Sequence, residues 1–168
     1  MIISRVWAMP NKWTFAIKPI RHLLSEEVVS GFWCDPFAGK NSPAQVTNDI
    51  DPTSNALLHL DALEFLKLQP SKEYDGVIFD PPYSITQAAE CYKSFGKEKL
   101  KISVANMKYW ASIKDEIKRI LKPKGKVICF GWNSMGLGKN RGFEMTRILL
   151  VPHGGSKNDT IVTVEIKT

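Results

Sequence analysis

The 168 residues, 43% of them hydrophobic, suffice for one core and are too few for a second sizeable domain. No apolar run approaches the ~20 residues that span a bilayer. The opening Met1-Ile2-Ile3-Ser4-Arg5 has neither the apolar stretch nor the cleavage site of a secretory signal, so a soluble, cytoplasmic protein with no membrane partner is expected. Cys34, Cys91 and Cys129 lie far apart without Cys-x-x-Cys or Cys/His spacing, which argues against a zinc site or a disulfide framework. No histidine sits in a nucleophile pattern, so neither metal nor covalent-triad chemistry is expected. The net charge of +6 is uneven: residues 1–90 hold 7 Lys/Arg against 11 Asp/Glu, and residues 91–168 hold 16 against 6. The second half is therefore a candidate polyanion surface, although any single lysine more often solvates a helix face.

Taken in chain order, residues 28–34 read as a strand ending at Asp35-Pro36. Residues 45–48 read as a short second strand closed by Asp49-Ile50-Asp51-Pro52, 57–60 as a third, and 76–79 as a fourth ending at Asp80. Trp110, Ile113, Ile117, Ile120 and Leu121 recur at helical spacing, which predicts a helix over 107–121 stopped by Lys122-Pro123-Lys124-Gly125. A strand over 127–132 follows. Residues 145–151 and 160–166, joined by a Gly-rich turn, suit an antiparallel hairpin. Alternating strands and helices mean an α/β sheet, one domain over 1–168. Asp35, Asp49, Asp61 and Asp80 all fall at carboxyl ends of strands, the edge where open α/β sheets bind ligands.

The sharpest motif is Asp80-Pro81-Pro82-Tyr83, directly after an apolar strand. Two prolines stiffen the loop and remove two donors, so the carbonyls of Asp80 and Pro81 stay free to accept. An exocyclic amino group placed there meets acceptors only. Holding both its hydrogens pushes the nitrogen towards tetrahedral geometry and turns its lone pair to an electrophile, which is positioning plus electrostatic catalysis. Tyr83 offers a face on which a base stacks, worth ~1–3 kcal/mol.

With that motif the chain resembles the amino methyltransferases of nucleic acids, whose motif IV reads D/N/S-P-P-Y/F. Motif I of the DNA-directed members, D-P-F-x-G, stands here as Asp35-Pro36-Phe37-Ala38-Gly39. The resemblance implies a class I, Rossmann-like fold dependent on S-adenosyl-L-methionine (AdoMet), with catalysis by Asp80, Pro81, Pro82 and Tyr83. It also implies that Asp35, Pro36, Phe37 and Gly39 hold the cofactor, that Asp49 takes its ribose hydroxyls, and that Asp61, with Ala62, meets its adenine. Trp13-Thr14-Phe15-Ala16-Ile17-Lys18-Pro19 is similar to motif X, which closes over the methionine end and makes Phe15 and Lys18 contact candidates. On this reading 1–27 is the motif X region, 28–83 carries the cofactor and catalytic motifs, and 107–168 is the C-terminal half of the sheet with its hairpin. The implied reaction is methyl transfer to N6 of adenine in DNA.

The chain departs from the family pattern in two ways. Only nine residues separate Gly39 from Asp49, and nine separate Asp51 from Asp61, too few for the usual cofactor-flanking helices. The sheet is thus expected to be a reduced one, leaving room for the nucleic acid, a second copy of the chain or another subunit to complete the pocket. There is also no target-recognition domain. The lysine-rich insertion 84–106, with Tyr92, Phe95, Gly96, Lys97, Lys99 and Lys101, reads either as a DNA-contacting lid or as a solvated loop. The rival readings are an RNA base methyltransferase, which shares D-P-P-Y and a basic surface, and a catalytically degenerate nucleic-acid-binding subunit. N4-cytosine and protein-glutamine enzymes usually carry Ser or Thr, and Asn, at the position of Asp80.

Overall fold

The computed structural model describes residues 1–95, 107–155 and 157–168. The described elements are β1 (Ile2–Arg5), a 3-10 turn (Thr14–Ala16), α1 (Lys18–Glu27), β2 (Trp33–Asp35), β3 (Val46–Thr47), α2 (Ala62–Leu68), β4 (Tyr74–Phe79) and α3 (Ile85–Ser94). They continue with α4 (Met107–Ile120), β5 (Leu121–Gly131), a second 3-10 turn (Lys139–Arg141), β6 (Phe143–Val151) and β7 (Thr160–Lys167). Seven strands form one sheet in the order β1-β6-β7-β5-β4-β2-β3. Only β7 is antiparallel to its neighbours, so the expected hairpin is β6–β7. The chain runs outward from β2 to β3 and then returns to the other side of β2 as β4. That reversal leaves a crevice at the carboxyl ends of β2 and β4.

Alternation along the central strands divides the core. Val77, Phe79, Val127 and Cys129 join Phe65, Ile113 and Ile117 beneath α2 and α4. Ile78, Ile128 and Phe130 point to the opposite face with Ile20, Leu23 and Leu24 of α1. In α4 the buried Tyr109, Ile113, Ile117 and Ile120 repeat every three or four positions, one stripe of a helix. Asp61 starts α2 by accepting from the backbone N–H groups of Leu63 and Glu64. Gly76 is required where β4 runs beside β2 opposite Trp33, since a Cβ there would lie 2.3 Å from the Trp33 ring.

Three sequence expectations change in detail. The first strand covers Trp33–Asp35 rather than 28–34, because α1 runs on to Glu27 with Val28 as its cap and Gly31 turns the chain at φ 90°. The third strand is reduced to one bridge, Leu58 to Asn48. The stop after α4 lies inside β5: Lys122 to Gly125 bulge out between the Tyr74–Leu121 and Gly76–Lys126 pairs. As the short spacings imply, no helix occupies 39–49 or 51–61. Gly96, Lys97, Lys99 and Lys101 lie outside the described residues. None of the described helices is long and apolar enough to cross a membrane.

The basic second half is partly neutralised by acids of the first. Lys122 pairs with Asp75, Lys126 with Glu27, and Arg147 with Glu26 and Glu27, while Arg119 and Arg141 pair with Glu116 and Asp115.

Candidate active site

The turn after β2 is folded by its own carboxylates. Asp35, fully buried, accepts the Phe37 N–H at 2.9 Å and the Ser42 hydroxyl at 2.6 Å. Burial pushes its carboxyl up to about 8; those two bonds oppose the rise, and the charges of Asp80 and Asp49 add to it. Gly39, at φ 49°, donates its N–H to Asp49 Oδ2 at 2.7 Å, and Asp49 Oδ1 accepts from the Asp51 N–H at 2.8 Å. The buried Asn48 side chain donates to the carbonyls of Pro36 and Leu60 and accepts the Leu60 N–H. One amide thereby ties the β2 turn to the segment that replaces the third strand.

These turns wall a cleft of about 270 Å³ lined by Pro36, Phe37, Asn48, Asp49, Ile50, Leu60, Ala62, Asp80, Pro81, Pro82 and Tyr83, with Thr14 and the α3 residues Gln87, Cys91 and Tyr92. The sequence motifs therefore converge on one place. Asp35 supports the turn from beneath without lining the cleft. Asp61 is taken up elsewhere: besides capping α2, its Oδ2 accepts the hydroxyls of Tyr92 at 2.9 Å and Tyr109 at 2.6 Å. The resemblance gave Asp61 to the cofactor, but the structure spends both its oxygens on tying α2, α3 and α4 together, and Ala62 is the neighbour that faces the cleft. Phe15 packs against Phe130 in the core, ring centroids 5.4 Å apart. Lys18 lines a separate cavity with Trp7 and His22. Thr14 is the member of that segment that reaches the cleft.

Motif IV forms a wall with a cavity on each side. A second cavity of about 280 Å³ shares Pro81, Pro82 and Tyr83 with the first and is completed by Trp110, Lys114, Trp132 and Asn133 among others. The Tyr83 hydroxyl donates to Asp80 Oδ1 at 2.8 Å, and its backbone N–H donates to Gln87 Oε1 at 3.0 Å. Desolvation raises the Asp80 carboxyl to about 6 against the lowering effect of the Tyr83 and Thr14 hydroxyls. The Tyr83 phenol is raised by burial and by Asp80. The Tyr83 and Trp132 rings meet edge to face, centroids 5.9 Å apart.

Beyond this wall the segment 133–138 is fixed by the buried Glu165, which accepts the N–H groups of Leu137 at 2.7 Å and Gly138 at 3.0 Å. The Lys114 ammonium donates to the Gly136 carbonyl at 2.6 Å. A Cβ on Gly136 would sit 2.2 Å from Glu165 Oε2.

Sequence reasoning did not single out Asn48, Gln87, Cys91 or Trp132 as site residues. Asn48 ends the expected second strand directly before Asp49, and Trp132 stands at a strand's carboxyl end, so both carried a positional signal. Gln87 and Cys91 carried none, because only the docking of α3 brings them to the cleft. Among the described residues no cluster of metal-ligating side chains occurs.

No protein-family model matches the chain, and no curated protein matches it. Solved structures do. Ninety per cent of the chain superposes on 77% of the 1,6-didemethyltoxoflavin-N1-methyltransferase of Burkholderia thailandensis, crystallised with its namesake compound and S-adenosylhomocysteine (TM-score 0.62, 12% identity). TrmN from Thermus thermophilus matches with a TM-score of 0.55 and 16% identity, over 90% of this chain and 49% of that one; the present chain thus spans about half its length. The N-methyltransferase NodS of Bradyrhizobium japonicum WM9, complexed with S-adenosyl-L-homocysteine, matches at 0.53 and 11%, over 89% and 86% of the two chains. At these identities the likeness establishes the architecture, a Rossmann-like α/β methyltransferase fold.

Proposed function

We propose that this protein transfers the methyl group of AdoMet to the N6 amino group of adenine in DNA. The observation that carries the reading is the shared wall: Pro81-Pro82-Tyr83 borders both a carboxylate-bearing cleft, which Asp80 also lines, and an aromatic-lined cavity, so a donor on one side and a base on the other meet at the same residues.

The first cleft suits the cofactor. Phe37, Ile50, Leu60 and Ala62 give apolar walls for a purine, and each Asp49 oxygen, bonded to one backbone N–H, retains acceptor capacity for ribose hydroxyls. Cys91 and Tyr92 of α3 line the same cleft, which supports a cleft complete without a second subunit. AdoMet, when bound, supplies an electrophilic methyl on a sulfonium. Everything else falls to the protein. Asp80 accepts one hydrogen of the amino group and the Pro81 carbonyl the other, which turns the nitrogen lone pair out of the ring. A carboxyl poised at about 6 is ionised at neutral pH and basic enough to take the proton the methylated nitrogen must lose. Tyr83 carries the extracted base, partly offsetting the few kcal/mol that flipping costs.

The DNA assignment leans on Asp35-Pro36-Phe37-Ala38-Gly39, and RNA is the second reading. Incubation with methyl-labelled AdoMet and either DNA or RNA, followed by nucleoside analysis, tests it: N6-methyladenine in DNA is expected, and label confined to RNA nucleosides refutes it. Calorimetric titration with AdoMet, with and without DNA, tests the degenerate-subunit alternative, which requires no binding in either case.

A further inference from the structure

We infer that a groove beside motif IV is a track for a single DNA strand, and that the chain engages its target in single-stranded or locally opened DNA in preference to closed duplex. The inference rests on the nucleic-acid reading of the acceptor and goes beyond it in naming the strand state and the residues that hold it.

The groove, about 390 Å³, shares Tyr83 and Trp132 with the acceptor cavity and runs from there between the N-terminal segment and the β6–β7 turn. Asn11 and Lys12 line one bank, Lys157 and Asn158 the other, and none of the described residues that line it is acidic. Lys122, Lys126, Arg119, Arg141 and Arg147 sit in ion pairs with carboxylates, whereas among the described residues neither Lys12 nor Lys157 does. Trp13, between the lining residues Lys12 and Thr14 in sequence, carries the Lys12 ammonium at 5.0 Å and the Lys40 ammonium at 4.9 Å from its ring, two positive charges on one indole.

The two banks are held in place before any ligand arrives. Buried His153, at the start of the β6–β7 turn, bonds the Ala8 carbonyl through Nδ1 and the Thr160 hydroxyl through Nε2, both at 2.9 Å, and so locks the turn to the N-terminal segment. Cations along the banks with aromatic rings at the inner end are the two parts that single-strand sites combine. Stacking on those rings requires an unpaired base, which a single strand offers and a closed duplex does not. With the strand laid here, the edge-to-face pair of Tyr83 and Trp132 is where an unpaired base turns into the acceptor cavity.

The test is fluorescence anisotropy of the full chain with a labelled adenine-containing oligonucleotide, single-stranded or annealed to its complement, across a salt series. Single strands are expected to bind at least tenfold more tightly than duplex. In K12Q/K157Q that preference should shrink, and the slope of log K against log salt should flatten by about 1.4, at about 0.7 for each of two lost single-strand phosphate contacts. K67Q, on an exposed α2 position outside the groove, is the control and should leave the slope unchanged. Duplex bound as tightly as single strand, or an unaltered slope in a K12Q/K157Q protein of unchanged circular dichroism, overturns the inference. Nucleoside analysis of the same mixtures keeps the readings separable: strand preference without N6-methyladenine refutes the adenine reading alone, and N6-methyladenine without strand preference refutes the groove alone.

Discussion

The two sides of motif IV are built on opposite economies. On the β2–β3 side polar groups are turned inward on their own backbone: Asp35 folds a turn, Asn48 bridges two segments, and Asp61 caps a helix and holds two tyrosines. On the β5–β7 side the supporting carboxylate, Glu165, is hidden beneath the segment it anchors, while Trp132 and the groove lysines remain open to a ligand. A carboxylate at a strand end is therefore an ambiguous sign. What distinguishes a reactive acid from an architectural one is how many of its acceptor sites the fold has already filled. Asp61 takes two backbone N–H groups and two hydroxyls, whereas Asp80 takes the Tyr83 and Thr14 hydroxyls and lines the cleft.

The largest effect that sharpens this contrast is expected from Asp80→Ala. Single-turnover methyl transfer should fall by at least about 10²–10³-fold, the scale for losing one preorganised polar group, with AdoMet and DNA affinity nearly intact. Near wild-type turnover would make Asp80 architectural too. Asp61→Ala should show the reverse profile. It removes a helix cap and strands two buried hydroxyls, a cost of about 2–4 kcal/mol visible in denaturant unfolding, and a variant as stable as the parent would break the comparison.

Tyr83→Ala should weaken base extrusion by about 1–3 kcal/mol. Its measure is the fluorescence of 2-aminopurine at the target position, which rises less when the platform is gone; an unchanged rise would remove Tyr83 from base binding. The smallest effect is in pH. Asp80 can take the proton lost by the methylated nitrogen only when ionised, so kcat/KM should fall tenfold per unit below about pH 6 and level off above it, and a flat profile from pH 5 to 8 argues against that role. Asp35 acts on stability instead. Its folded carboxyl, near 8 against an ordinary 3.8, holds a proton more tightly than the unfolded chain does. Its contribution to stability is full below about pH 4 and is lost as pH rises through 8.

What was legible in the sequence was local. Asp35 to Gly39, Asp49 and Asp80 to Tyr83 each sit on a short turn directly after a strand, so spacing alone brought them to one edge. The missing helices were legible as arithmetic, since nine residues hold no strand-to-strand helix. The hairpin was legible from its Gly-rich turn. Contacts distant in the chain were not legible. Tyr92 and Tyr109 reach Asp61 across 31 and 48 residues, and nothing in the Asp61 neighbourhood announces them. Phe15 misled because Thr14 and Phe15, adjacent on a tight 3-10 turn, face opposite ways: one reaches the cleft, the other enters the core. β1 pairs in parallel with β6, Ile2 against Arg147, and a four-residue strand 145 positions from its partner leaves no periodic signal.

The wall common to both cavities also limits how this protein can diversify. On the proposed reading Pro81, Pro82 and Tyr83, which line both cavities, border donor and acceptor at once, so a substitution that enlarges one compartment trims the other, and acceptor range cannot be altered there without disturbing cofactor affinity. Variation in what is methylated is confined to the outer boundary, at positions such as Trp132 and Asn133. Variation in how firmly the methyl donor is held falls to Ile50, Leu60 and Cys91. A library built on the outer positions alone should shift acceptor preference while leaving the donor's dissociation constant where it was.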